Sequence, residues 1–311
     1  MTGVVIKSTG SWYIVKTDES TVECRIRGKF RIDNIKSTNP VTVGDIVDFN
    51  MEEDSGNGVI TNIHDRKNYI IRKSVKLSKQ THIIAANIDQ VFLLVTLQDP
   101  PTFTSFIDRF LATAEAYSIP AIIIFNKIDL YTKELLEQKQ QLEKIYRSIG
   151  YECLDVSATE QINIDKLKIM MTNRVSMFSG HSGVGKSTLI NAIHPELDLK
   201  TAEISAQHKQ GQHTTTFAEM FELPFGGYII DTPGIKGFGV VDFEKEEVGD
   251  FFPEIFAIKH NCKFNNCLHI NEPSCAVKDA VEHGKIAESR YMSYLQLLEE
   301  ESETYRTDNY N

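Results

Sequence analysis

The first 75 residues alternate apolar and polar side chains in short runs: VVIKSTGSWYIV, TVECRIRGKF, VGDIVDF and GVITNIHDRKNYIIR. Gly, Asp and Asn separate the runs, and a period of two marks half-buried strands. About five short strands suit a small barrel of the OB type, although periodicity alone does not separate it from an SH3-like barrel. From residue 90 the texture changes. Continuous apolar runs, QVFLLVT, AIIIFNK, YECLDVSA, VSMFSG and GGYIIDT, alternate with amphipathic stretches such as PTFTSFIDRFLATAEAYS and KELLEQKQQLEKIYRSIG. Strands apolar on both faces and separated by helices predict a mostly parallel, doubly wound α/β sheet. After residue 240 the chain turns polar and partly helical, with helical spacing in AVKDAVEHGKIAESRYMSYLQLLEE and a polar end, ESETYRTDNYN, expected to fray. Three domains are expected, 1–75, 76–239 and 240–311.

With 41% hydrophobic and 24% charged residues in 311, a mainly disordered or collagen-like protein is excluded. No apolar run approaches the roughly 18 to 20 residues of a membrane span. The start, MTGVVIKSTG, lacks the basic and apolar regions of a secretory signal, so a cytoplasmic protein is expected, with no membrane partner and acting as a monomer. Five Cys are too few for a disulfide framework and point to buried thiols or metal ligands. The net charge of -10 divides into +1, -3 and -8 over the three segments. Arg25, Arg27, Lys29 and Arg31 can form a local RNA-facing patch or a plain solvated strand face, whereas the acidic end would repel phosphate.

The strand VSMFS runs into Gly180, His181, Ser182, Gly183, Val184, Gly185, Lys186, Ser187 and Thr188, then into the helical run LINAI. This is G-x-x-x-x-G-K-S in its strand–loop–helix setting. Glycines let successive N–H groups turn inward on phosphate oxygens, and the helix adds its positive dipole end. Lys186 supplies charge to the outer phosphates and Ser187 a Mg²⁺ ligand. Strand GGYII then delivers Asp231, Thr232, Pro233 and Gly234, where the carboxylate suits Mg²⁺ and the Gly234 N–H the terminal phosphate. Between them, KQGQHTTTF offers Thr214, Thr215 and Thr216 as sensors of the third phosphate, with Thr215 favoured by register. Ile235 stands where many GTPases carry a water-orienting Gln, so His213 is the candidate to position water.

Strand AIIIF ends in Asn126, Lys127, Ile128 and Asp129, and strand YECLDV in Ser157 and Ala158. A carboxylate at Asp129 accepts from N1–H and the exocyclic amine of guanine, a donor pair adenine does not present. Asn126 would tie this loop to the phosphate loop, Lys127 would lie along the base and Ala158 N–H would meet its oxygen. The base loop precedes the phosphate loop, the reverse of an ordinary GTPase, which a circular permutation explains because the site depends on adjacent strand ends. Farther on, Cys262-x₄-Cys267-x-His269-x₅-Cys275 supplies three thiolates and an imidazole, a closed structural Zn²⁺ set, with His260 and His283 as alternative fourth ligands. Cys24 and Cys153 lie in strand-like runs and are expected in the core.

A barrel-like start, the order NKID, SA, GHSGVGKS, HTTT, DTPG and the C-x₄-C-x-H-x₅-C cluster together resemble the ribosome small-subunit-dependent GTPase A family, RsgA, also called YjeQ or YloQ. The resemblance spans nearly the whole chain. It implies an OB fold, GTP hydrolysis stimulated by the 30S subunit, a role in late 30S maturation, contact with 16S rRNA or ribosomal proteins, and a part for His213 in hydrolysis. Two features depart from it: the acidic last segment, and Gln212 where a basic residue is common. An RNA-binding scaffold and a metal-delivery GTPase are the rival readings; intact Lys186, Ser187 and Asp231 oppose the first, the closed cysteine set the second.

Overall fold

The computed structural model describes residues 1–26, 40–52, 56–73, 81–197, 218–231 and 244–308; for 72, 73, 81, 82, 231 and 300–308 it describes the backbone alone. The strands are β1 (Thr2–Ser8), β2 (Tyr13–Lys16), β3 (Thr21–Ile26), β4 (Ile46–Met51), β5 (Gly58–Ile63), β6 (Tyr69–Lys73), β7 (Thr81–Ala86), β8 (Gln90–Val95), β9 (Ala121–Phe125), β10 (Glu152–Asp155), β11 (Val175–Ser179), β12 (Glu219–Glu222) and β13 (Tyr228–Asp231). The α-helices are α1 (Thr104–Ala116), α2 (Lys133–Ile149), α3 (Ile164–Met171), α4 (Lys186–Ile193), α5 (Pro253–Lys259), α6 (Ala276–Glu282) and α7 (Glu288–Asp308). They fall into two compact units, one of residues 1–92, 158–179 and 185–240, the other of 93–157, 180–184 and 241–311.

In the first unit, β1 to β5 close into a five-stranded barrel with neighbours β1-β2-β3-β5-β4 and a return pairing of β4 on β1. Only β3 and β5 run parallel; the other pairs are antiparallel. The alternation seen in the sequence turns Val5, Tyr13, Val15, Cys24, Val47, Phe49 and Ile60 into one apolar core. Gly58 is required there, because a Cβ would lie 2.5 Å from the Cys24 sulfur and 2.8 Å from the Phe49 ring. The strand pair β6–β7 lies outside the barrel. Hydropathy does not single out β7, since THIIAA leads almost directly into the buried run of β8. Parallel β11 and β13 stand side by side, β12 pairs antiparallel with β13, and Lys7 of β1 pairs with Glu219 of β12. The short β12 also escaped the pattern.

In the second unit, β9 and β10 are parallel and in register from Ile122 and Glu152 onward. Helix α2 begins at Thr132, whose hydroxyl accepts from Leu135 N–H, and ends at Gly150 with φ 112°. The C-terminal helices bury Val248, Phe252, Ile255, Val277, Ile286, Tyr294, Leu297 and Leu298 with Ala112 of α1 in one cluster, and α7 packs along α1. Gly284, at φ 66°, breaks the expected single helical stretch into α6 and α7. Helix α7 continues through Asp308, so the polar end expected to fray is largely helical in its backbone. Cys24 and Cys153 are buried as expected, and burial pushes their thiols up to about 11 and about 12. Among the described residues, no helix is long and apolar enough to cross a membrane.

Candidate functional site

The loop from Gly180 to Gly185 joins β11 to α4 and takes its shape from three glycines at φ 151°, 87° and 92° (Gly180, Gly183 and Gly185). A Cβ on Gly180 would stand 2.9 Å from both Leu94 O and a Val184 methyl, so the backbone passes where no side chain fits. Val184 is fully buried and pins the loop, while Ser182 and Gly183 are exposed. Lys186, Ser187 and Thr188 occupy the first turn of α4, partly buried. That turn contains no acidic side chain to compete with an anion at its positive dipole end. In the same compact unit as α4, the parallel pairing of Met177 with Ile230 brings the ends of β11 and β13 to one sheet edge, and Asp231 is the last residue of β13. Its side chain, together with His213, Thr214, Thr215, Thr216, Gly234 and Ile235, lies outside the described residues.

On the base side, Asn126 follows β9 and is 2% exposed. Its N–H donates to Val95 O at 2.9 Å and its Nδ2 to Val184 O at 2.8 Å, so the amide ties the base loop to the phosphate loop. Asn126 Oδ1 is buried without a partner among the described residues. Lys127 sits at φ 60° and its Nζ donates to Gly183 O at 2.8 Å and Asp99 O at 2.6 Å, a second tie across the same two loops. Asp129 follows in a single 3₁₀ turn, exposed, and no hydrogen bond among the described residues occupies its carboxylate. Ser157 and Ala158 come after β10, both buried, and Gln161 Nε2 donates to Ala158 O at 2.7 Å. Arg25 of the basic patch is exposed, but its Nη2 donates to both carboxylate oxygens of Glu52 at 2.6 and 2.9 Å; Arg27, Lys29 and Arg31 lie outside the described residues.

In the C-terminal segment, one donor atom each from Cys262, Cys267, His269 and Cys275 lies within 4.8 Å of the others. His269 Nδ1 is 3.6 Å from Cys262 Sγ and 3.4 Å from Cys275 Sγ, and those two sulfurs are 3.9 Å apart. Bond lengths of 2.3 Å to sulfur and about 2.05 Å to nitrogen place tetrahedral ligands about 3.5 to 3.8 Å from one another, so this set can hold a metal ion. The alternative ligands His260 and His283 are not part of it. Tyr291 and Tyr294 of α7 donate to the carbonyls of His269 and Leu268 at 2.6 and 2.9 Å, and Glu272 accepts from the Leu268 and Ile270 N–H groups. Burial and neighbouring thiols push Cys267 up to about 12, and burial lowers His269, which favours its neutral, ligating form. Cys275 is also raised by burial, against the pull of the Lys278 N–H that it caps at the start of α6.

A family model described as RsgA GTPase matches residues 63–241, and one described as RsgA N-terminal domain matches residues 2–60. This chain belongs to the RsgA GTPase family. Relatives named small ribosomal subunit biogenesis GTPase RsgA include one from Flavobacterium psychrophilum, 63% identical over 314 residues, covering 100% of this chain and 96% of its own. Another, from Christiangramia forsetii, is 64% identical over 313 residues, covering 100% and 99%. Among solved structures, YjeQ from Thermotoga maritima superposes with TM-score 0.78 at 37% identity, covering 96% of this chain and 97% of its own. YloQ, described as a circularly permuted GTPase, superposes with TM-score 0.76 at 32% identity, covering 97% and 95%. The RsgA frame explains the motif order: a five-stranded barrel, a circularly permuted P-loop domain and C-terminal helices carrying the Cys/His cluster.

Motif reading missed two features of this RsgA chain. The Phe106 ring, on the first turn of α1, lies against the His181 ring with centroids 3.7 Å apart. Two residues on, buried Asp108 receives hydrogen bonds from Arg290 and Tyr146. Neither belongs to a spacing motif; the one available signal was an acidic residue between apolar positions of a helical stretch, FIDRFL.

Proposed function

We propose that this chain binds and hydrolyses GTP and acts as a nucleotide-controlled switch in maturation of the small, 30S, ribosomal subunit. The observation that carries the nucleotide half is the pair of ties, Asn126 to Val184 and Lys127 to Gly183, which hold an N-K-x-D loop against the first half of a G-x-x-x-x-G-K-S loop. The family and the names of the relatives support the ribosomal half. Asp129 reads guanine, Ala158 N–H meets its oxygen beside Ser157, and Lys127 lines the base. Residues Gly180, His181, Ser182, Gly183, Val184 and Gly185 wrap the phosphates with Lys186, Ser187 and Thr188. Ser187, Asp231 and Thr215 are the ligands assigned to Mg²⁺, which when bound neutralises charge on the outer phosphates. His213 orients the attacking water, Gly234 N–H meets the terminal phosphate, and Ile235 leaves the isolated protein slow, on the order of 10⁻⁴ to 10⁻² s⁻¹, with about 10³- to 10⁵-fold acceleration by the subunit.

Cys262, Cys267, His269 and Cys275 suit Zn²⁺ in a structural role, since three thiolates and an imidazole leave no open position. The functional segments are a barrel at 1–75, the GTPase at 76–239 and the zinc segment at 240–311. The protein works in the cytoplasm as a monomer that meets 16S rRNA. A pull-down from ribosomal subunits with a non-hydrolysable GTP analogue or GDP, scored for 16S rRNA, tests this reading. Retention with the GTP analogue and release with GDP is expected; equal retention overturns the switch. Asp129→Asn should transfer nucleotide preference from guanosine to xanthosine, and unchanged selectivity overturns the base assignment.

A further inference from the structure

Helix α1 lies between two features that no motif connects. At its first turn, Phe106 packs on His181, the residue after the close-fitting Gly180 of the phosphate loop. Asp108 is two positions on, about 200° around the helix, so it faces the other way. There it meets Arg290 of α7: Nη1 donates to Asp108 Oδ1 at 2.9 Å, while Nε and Nη2 fork onto Glu254 of α5 at 2.6 and 3.1 Å. Tyr146 of α2 donates to the same Asp108 oxygen at 2.8 Å, and the guanidinium lies 4.6 Å from the centre of the Phe252 ring. Arg290 and Asp108 are fully buried. Asp108 Oδ2 has no partner among the described residues, so the carboxylate depends on this one arrangement. A planar fork at fixed angles, with both charges out of water, leaves α1 no small rotation that keeps the pairs: the helix is held in one setting or it loses them together.

We propose that Arg290 is a positioning residue for the phosphate loop: through Asp108 it holds α1 in the rotation that seats Phe106 on His181, linking nucleotide binding to the packing of the C-terminal helices. This deepens the GTPase reading and rests on it. The link is reciprocal, so whatever Arg290 contributes to nucleotide affinity, bound nucleotide returns to the seating of α7.

The test uses the full-length, zinc-loaded protein and fluorescent GDP, with zinc content and far-ultraviolet circular dichroism checked for every variant. Phe106→Ala and Arg290→Met should each weaken GDP binding about 5- to 20-fold, Arg290→Lys less, and the double variant no more than the weaker single. In GTP hydrolysis KM should rise with the turnover number little changed. A second measurement leaves Arg290 intact: GDP should slow amide exchange across Ile286–Leu298 in the wild type and not in Phe106→Ala. Single effects that multiply in the double variant, or Arg290→Met that lowers thermal stability with GDP affinity within twofold of wild type, would overturn the link. So would equal GDP protection of α7 in wild type and Phe106→Ala. If the wild type binds no guanine nucleotide, it is the GTPase reading that fails.

Discussion

In the barrel, Val5, Tyr13, Val15, Cys24, Val47, Phe49 and Ile60 meet inside a ring of strands whose ladder has no free edge between β4 and β1. In the C-terminal helices a comparable apolar cluster surrounds groups of another kind: a buried Arg290 shared between Asp108 and Glu254, and four side chains that could hold a metal ion. Apolar contacts are many, small and separately removable, so the barrel should weaken in steps. A buried charge network and a closed ligand set stand or fall as units, because removing one member leaves the others desolvated and unpaired. Robustness thus lies in the barrel and the capacity for abrupt change in the helical segment.

The largest effect expected is from the metal proposed for the Cys/His cluster. Cys275→Ser, or a strong chelator, should unfold the segment around α5 and α6, since structural zinc is worth about 10 to 16 kcal/mol in small zinc-dependent folds. Amide exchange should then rise across 253–282 while barrel strands keep their protection; protection that survives in both regions would break the contrast. Next, Arg290→Ala should cost about 3 to 5 kcal/mol in urea unfolding by stranding Asp108 and Glu254, with Arg290→Met milder because it fills the space. Ile60→Val in the barrel should cost only about 1 kcal/mol, and adding a second methyl deletion should add a similar step. The smallest effect is at the barrel surface. Hydrogen bonds from Thr2, His64 and Asn62 hold Asp48 well below the usual carboxylate range. A depressed folded pKa means stability that is present above the ordinary value near 4 and lost as pH falls through the folded one. Asp48→Asn should therefore flatten the acid side of the barrel's stability profile between about pH 4 and pH 2, and an unchanged slope would refute the assignment.

Local spacing made much of this molecule legible. The phosphate loop, the NKID loop and the cysteine cluster each depend on residues near one another in the chain, where glycine freedom, a carboxylate or a run of thiols signals chemistry before any fold is known. The alternation in the first segment carried the barrel's five strands and their inward faces. Short β7 and β12 escaped, because six or four residues against a buried neighbour give too little period to read. The two halves of the Arg290 network escaped for a different reason: Asp108 and Arg290 are separated by 182 positions and look like ordinary solvated charges on amphipathic helices.

The order of side chains was enough to nominate groups for phosphate, guanine and a metal, since those preferences reside in short stretches of backbone and in functional-group chemistry. Which charges lost their water was settled by folding. Burial of Arg290 and Asp108, the tilted ring contact of Phe106 with His181 and the tie from Asn126 to Val184 arise from long-range packing, and the free energy of a charge or an amide depends on its surroundings as much as on its identity.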